Sequence, residues 1–228
     1  MVSHKIVSKF FIIGILVFLL LNTSSLGLYE DKFSSGNRQG PIPYVFGEMG
    51  ENQWFVTGVT IYFEYDSVKV KEIQYNLNGW HVYTGPFNVV NDGVYMIPWF
   101  WIDQDNETHN VGPIEFKIDK TPPTIKLTKK VSGKGKVIFT AEAEDPVSQI
   151  ERVEFYLDGV LQQTNTEIPY QYSWTGEEKQ IVYAIAYNYA GLLEKSNNLS
   201  TTPKPHLRNH YFMQRFFILI QAMLFRFC

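Results

Sequence analysis

Ile118-Asp119-Lys120-Thr121-Pro122-Pro123-Thr124-Ile125 closes one run of β-like sequence and opens another at once. Proline fixes φ, lacks a backbone donor and pushes the residue before it toward extended geometry. Thr121-Pro122-Pro123 therefore predicts a short, stiff connector outside any ladder. This makes 121–124 a Pro-rich hinge in which Pro122 and Pro123 set the angle between two domains, 44–120 and 125–200.

Upstream of the hinge, sheet sequence starts at Tyr44. Val59-Thr60-Ile61-Tyr62-Phe63-Glu64-Tyr65 alternates with β-branched and aromatic residues, and Val70 to Leu77 does the same up to Asn78-Gly79. An Asn-Gly pair supplies the two positive φ angles of a type I′ hairpin turn. Trp80 to Tyr83 returns, Phe87 to Val90 extends, and one long strand is expected from Val94 to Ile102 before Ile114 to Ile118 closes the domain. Downstream the layout repeats. Val137 to Ala141 answers the strand at Val59, Glu151 to Gly159 answers Lys71 to Gly79 with its turn, and Ile181 to Tyr187 answers the long strand. Short strands at regular spacing, with no helical period between about 44 and 199, predict an all-β protein of two tandem β-sandwiches.

With 228 residues, 45% of them hydrophobic and 16% aromatic, the chain can fill two cores. A net charge of -3 supplies no basic field, which excludes nucleic acid as a partner. The single cysteine, Cys228, leaves both domains without a disulfide, so packing alone must hold them.

The ends differ from the middle. His4, Lys5 and Lys9 precede an unbroken apolar run from Phe10 to Leu21, then Ser25 and Gly27. That order is a secretory signal over 1–27, with Leu28 as the mature start and an uncleaved apolar anchor helix as the alternative. Residues 28–43 then form a polar, poorly ordered lead, and 201–210 form a linker. Residues 211–228, wound as a helix, put Gln214, Arg215, Gln221 and Arg226 on one side, interrupted by Ile218 and Phe225, and Phe212, Phe216, Leu219, Ile220 and Met223 on the other. This amphipathic C-terminal helix is expected at a membrane surface or docked on a sandwich, since a span would have to bury Arg215.

Two stretches resemble known families. Ile150 to Gly159, Pro169-Tyr170-Gln171-Tyr172-Ser173-Trp174 and Ala186-Tyr187-Asn188-Tyr189-Ala190-Gly191 are similar to a bacterial or archaeal Ig-like domain. Val70 to Gly79, Tyr83-Thr84-Gly85-Pro86-Phe87, Asp92-Gly93-Val94-Tyr95 and Phe116 to Pro123 resemble the β-domain repeat named after a spirochaete outer-membrane protein. The resemblances imply Ig-like folds for both sandwiches. They also imply surface-exposed, tandemly arrayed domains acting as stalks, spacers or adhesive modules, with no catalysis and no fixed catalytic residue; no cofactor is expected. The chain departs from the second family in the longer, more acidic loop Asp103 to Asn110, and in Met96, Pro98 and Trp101 on the long strand.

That strand, Tyr95-Met96-Ile97-Pro98-Trp99-Phe100-Trp101-Ile102, is apolar at both parities, so something is expected to cover its second face. One account makes these residues core, with Pro98 at a bulge or edge. Another makes Trp99 and Trp101, with Trp80, an exposed platform that stacks a sugar ring. Asp103, Asp105 and Glu107 offer oxygen ligands for calcium, without the spacing of an EF-hand loop. Glu142, Glu144 and Asp145 raise the same question at a strand end near the hinge. Asn106-Glu107-Thr108 and Asn198-Leu199-Ser200 are glycosylation sequons, making Asn106 and Asn198 candidate acceptors. No nucleophile elbow, His-Glu-x-x-His pair or phosphate loop is present, so no enzyme is expected. The reading is a non-catalytic, exported surface protein, either an adhesive or structural spacer or a carbohydrate-binding module. Its partner would be a surface protein or polysaccharide, with membrane contact through the C-terminal helix.

Overall fold

In the computed structural model, residues 40–132 and 135–201 are described in full and residues 26–30 by their backbone. The N-terminal apolar segment Phe10 to Leu21, most of the linker and the C-terminal stretch 211–228 lie outside these residues. So does Cys228. Among the described residues there is no helix, and hence none long and apolar enough to cross a membrane.

The chain divides into two compact units. The first holds the described residues up to Pro123 together with Asp145–Gln149 and Tyr187–Leu193. The second holds Thr124–Glu144, Ile150–Ala186 and the described residues from Glu194. In chain order, the strands before Pro123 are β1 (Leu26–Glu30), β2 (Ile42–Glu48), β3 (Trp54–Phe55), β4 (Val59–Glu64), β5 (Val70–Asn76) and β6 (Trp80–Val82), then β7 (Phe87–Val89), β8 (Gly93–Ile97), β9 (Trp99–Asp103), β10 (Thr108–Asn110) and β11 (Ile114–Ile118). They form sheets in the orders β1-β2-β4-β7, β10-β9-β5-β6 and β3-β11-β8. After the prolines come β12 (Thr124–Ser132), β13 (Lys136–Glu144), β14 (Ile150–Leu157), β15 (Val160–Asn165), β16 (Tyr170–Thr175), β17 (Ile181–Asn188), β18 (Leu193–Lys195) and β19 (Leu199–Ser200). Their orders are β12-β13-β16 and β15-β14-β17-β18, with β19 on β17.

The internal repeat seen in the sequence is a repeat of topology. The path β2-β4-β7 recurs as β12-β13-β16, and β6-β5-β9-β10 recurs as β15-β14-β17-β18. Both hairpin turns adopt the positive φ that their residues favour: Asn78 at 58° and Gly79 at 131°, Asp158 at 47° and Gly159 at 85°.

Strict alternation writes the cores. Val59, Ile61 and Phe63 of β4 are buried with Thr60 and Tyr62 between them half-exposed, and β13 and β17 alternate in the same way. The first core gathers Val45, Phe55, Phe63, Ile73, Ile97, Trp99, Ile114 and Ile118. The second gathers Leu127, Val137, Phe139, Val153, Phe155, Trp174, Val182, Ala184 and Ala186.

Two expectations are corrected. Residues 28–43 are not wholly an unpaired lead, because β1 pairs antiparallel with β2 from Leu26 opposite Glu48 to Glu30 opposite Tyr44. β1 crosses the expected boundary at Leu28, and β2 begins at Ile42, before Tyr44. Leu26-Gly27-Leu28-Tyr29 is β-compatible sequence masked by its polar surroundings. The single long strand from Val94 to Ile102 is two strands parted at Pro98, which has no N–H to give a ladder. Its carbonyl still accepts the Asn76 N–H at 2.8 Å. Parity carries through the break, with Ile97 and Trp99 buried. The even positions Val94 and Met96 are 72% and 67% exposed, so no described residue covers them.

One side chain completes a ladder. β7 pairs β4 only as far as Ile61 opposite Phe87, so the Phe63 N–H lies beyond its reach and donates instead to the Tyr83 hydroxyl at 3.2 Å. Burial pushes the Tyr83 phenol up to about 12. Because the folded value lies above the ordinary one, this contribution to stability is complete below about pH 10 and is lost as pH rises through about 12. Tyr83→Phe leaves the Phe63 N–H without an acceptor and should cost about 1–3 kcal/mol. It should also flatten the alkaline loss. Urea denaturation at pH 7 and pH 11 measures both effects, and an unchanged midpoint at pH 7 would remove the assigned role.

Candidate functional site

The outer surface of the sheet β10-β9-β5-β6 is set by register. On β9, Trp99 lies opposite Tyr75, Phe100 opposite Gln74, and Trp101 opposite Ile73. On the hairpin partner, Trp80 lies opposite Asn76 and Val82 opposite Gln74. Trp99 and Trp101 thus share the face of Ile73, which is core. Phe100 shares the other face with Gln74, Asn76, Trp80 and Val82.

Trp99 is accordingly 3% exposed, with its ring 4.9 Å from that of Phe63, and it is withdrawn from the stacking platform. Trp101 is half-buried and stacks on His109, centroids 4.0 Å apart at 13°. Trp80 is 53% exposed and meets Phe100 at 5.1 Å and 59°. The aromatic pair that faces outward is therefore Trp80 with Phe100, a residue the sequence reading did not single out. Its signal was parity, since Phe100 is an even-numbered residue between two inward tryptophans.

In the same sheet, where β9 turns into β10, the Asp103 carboxylate organises the acidic loop. Its Oδ1 accepts the N–H of Asp105 and of Glu107, each at 2.9 Å, and its Oδ2 lies 2.9 Å from His109 Nε2. The His109 bond, aided by the backbone N–H groups, holds the Asp103 carboxyl below its ordinary value. A depressed folded value contributes stability that is present above the ordinary carboxylate range and is lost as pH falls through the folded value. In a carboxyl-resolved NMR titration, Asp103 should titrate below the ordinary range, and His109→Ala should move it upward. An unmoved value would refute that cause. Asp103, Glu107 and His109 bring donor atoms within 4.8 Å of one another. Asp105 contributes only its backbone to the loop's hydrogen bonds, and its side chain is exposed outside that group.

A third group of polar residues, all within the first unit, surrounds the buried Asn188. The Asn188 amide donates to Asp145 Oδ2 at 2.9 Å, Asp119 Oδ2 at 3.1 Å and the Thr121 carbonyl at 3.3 Å, while its Oδ1 accepts the Leu192 N–H at 2.8 Å. Asp119 Oδ1 accepts the Thr121 N–H at 3.0 Å, and Asp145 Oδ1 accepts the N–H of Val147 and Ser148 at 2.9 and 3.0 Å. Asp119 and Asn188 are fully buried. Sequence reasoning assigned them no role, although both sit in the stretches that carry the resemblances. Glu142 and Glu144 stay exposed on β13, outside this group. Pro122 is exposed, Pro123 is buried, and β12 begins directly after them at Thr124.

Asn106 and Asn198 are both exposed. Asn106 has a φ of 67°, and its side-chain oxygen accepts a hydrogen bond from Lys71 Nζ.

No curated protein matches the chain significantly. Among solved structures, it is similar to one described as "Structures of Clostridium thermocellum CbhA fibronectin(III)-like modules". The identity is 22%, over 67% of this chain and 87% of that one, with a TM-score of 0.35. Residues 123–185, which contain β12 to β16 and most of β17, match the family model described as the bacterial Ig domain.

Proposed function

We propose that the protein is a non-catalytic structural module of the cell surface, a spacer or adhesive built from repeated β-sandwich units. The observation that carries this reading is the recurrence of one strand path on two separate cores, β2-β4-β7 with β6-β5-β9-β10 and β12-β13-β16 with β15-β14-β17-β18. Repetition of a self-contained fold extends a chain and multiplies contact surface without assembling a cleft. The bacterial Ig match over residues 123–185 supports the same reading for the second repeat. The apolar run Phe10 to Leu21 supports export. A membrane-impermeant lysine reagent applied to intact producing cells should label the chain while sparing a cytoplasmic control. Labelling only after lysis overturns the surface assignment.

A second reading has its own observation. Trp80 and Phe100 form an outward aromatic pair beside the amides of Gln74 and Asn76, the combination that stacks and hydrogen-bonds a sugar ring. Titration with a panel of soluble glycans should then give a saturable fluorescence shift that Trp80→Ala abolishes and Trp99→Phe preserves. No shift across the panel removes this reading and leaves the spacer.

A further inference from the structure

We infer that Asp103, Glu107 and His109 form a binding site for a first-row transition-metal dication of the zinc, cobalt or nickel type. The sequence offered this loop as an all-oxygen calcium set with Asp105 in it. The fold substitutes a nitrogen, because β10 folds back on β9 and places His109 opposite Trp101, one pleat from Asp103. Imidazole with two carboxylates is the donor set of late first-row metals, whereas calcium takes six to eight oxygens.

Three features support the assignment. The donor atoms of the three side chains lie within 4.8 Å of one another, although two of them are carboxylates that repel when no cation lies between them. Lys71 of β5 gives its ammonium to the Asn106 side-chain oxygen. Two of the ligands are also fixed in advance. The imidazole is stacked on the Trp101 ring at 4.0 Å and 13°, and Asp103 is held by two backbone N–H groups at 2.9 Å. With metal bonds of about 2.0–2.1 Å, the 2.9 Å between His109 Nε2 and Asp103 Oδ2 subtends about 90° at an ion, a cis pair of an octahedron. An opening of roughly 0.4 Å reaches the tetrahedral angle favoured by zinc. Glu107 is exposed and completes the set by a side-chain rotation. On binding, the proton on Nε2 moves to Nδ1 of the neutral ring, or leaves to solvent if the ring is charged. Acid therefore weakens the site.

The test uses the full chain with His4, His206 and His210 replaced by alanine, so that His81 and His109 remain of the five histidines. Calorimetric titration with zinc chloride should show one saturable site per chain. His109→Ala and Glu107→Gln should each weaken it about ten-fold or more, and calcium chloride at the same concentrations should give no saturable heat. Because Trp101 touches the imidazole, nickel should quench tryptophan emission with the same saturation, and Trp101→Phe should remove that component. Glu107 is exposed, so Glu107→Gln keeps the test open even if His109→Ala perturbs the fold. The assignment is overturned by any of three results: no saturable zinc binding, binding within two-fold of the parent in Glu107→Gln and in a folded His109→Ala, or calcium binding as tightly as zinc.

Discussion

Phe63→Ala lowers the unfolding free energy by about 3–5 kcal/mol, the range for removing a fully buried aromatic ring. The magnitude follows from position. Phe63 is 0% exposed at the end of β4, and its ring meets Tyr83 edge-on at 4.9 Å and 71° and Trp99 at 4.9 Å and 57°. Truncation deletes two aromatic contacts together and opens a cavity between strands of two different sheets, so relaxation of one strand cannot fill it. It also loosens Tyr83, whose hydroxyl takes the Phe63 N–H. Urea denaturation followed by tryptophan emission measures the effect, because Trp54, Trp80, Trp99 and Trp101 all lie in this unit. Phe63→Leu should recover more than half of the loss. A loss below about 1 kcal/mol for the alanine variant would show that the pocket collapses, contrary to the packing described.

Asn188→Ala is expected to cost a similar amount, about 3–5 kcal/mol, through electrostatics rather than packing. The amide is the donor shared by the Asp119 and Asp145 carboxylates, and Asp119 is fully buried. Without it, three acceptors lose a hydrogen bond, the Leu192 N–H loses its acceptor, and the Asp119 carboxyl is left without its amide partner where it is fully buried. Asp145→Asn should be milder, because the new amide still accepts the Val147 and Ser148 N–H groups through its oxygen. A thermal melt of both variants gives the order directly. If Asp145→Asn proves as damaging as Asn188→Ala, the central place of the amide is refuted.

The strands and their inward faces were legible because each is a local alternation: Val59-Thr60-Ile61-Tyr62-Phe63 could be placed in a core without any partner known. The Asn78-Gly79 and Asp158-Gly159 turns were legible for a related reason, since their conformational preference lies in the residues themselves. Trp99, Trp101 and Phe100 were only half legible. Composition marks all three as aromatic contact, but which of them faces water depends on the register with Tyr75, Ile73 and Gln74. Asp105 stood among the calcium candidates and His109 did not, because sequence spacing measures distance along the loop. The β9–β10 pairing measures it across the hairpin.

The sequence by itself determined an all-β chain, two cores, their turns and the proline connector, because periodicity, turn chemistry and proline stereochemistry act between near neighbours. The tertiary structure alone decided that Asn188 lies against Asp119 and Asp145, that Trp80 pairs with Phe100, and that His109 joins Asp103 and Glu107. Those groupings join residues up to 69 positions apart. Such contacts arise from strand order and register, which many local patterns share and only the packed sheets select.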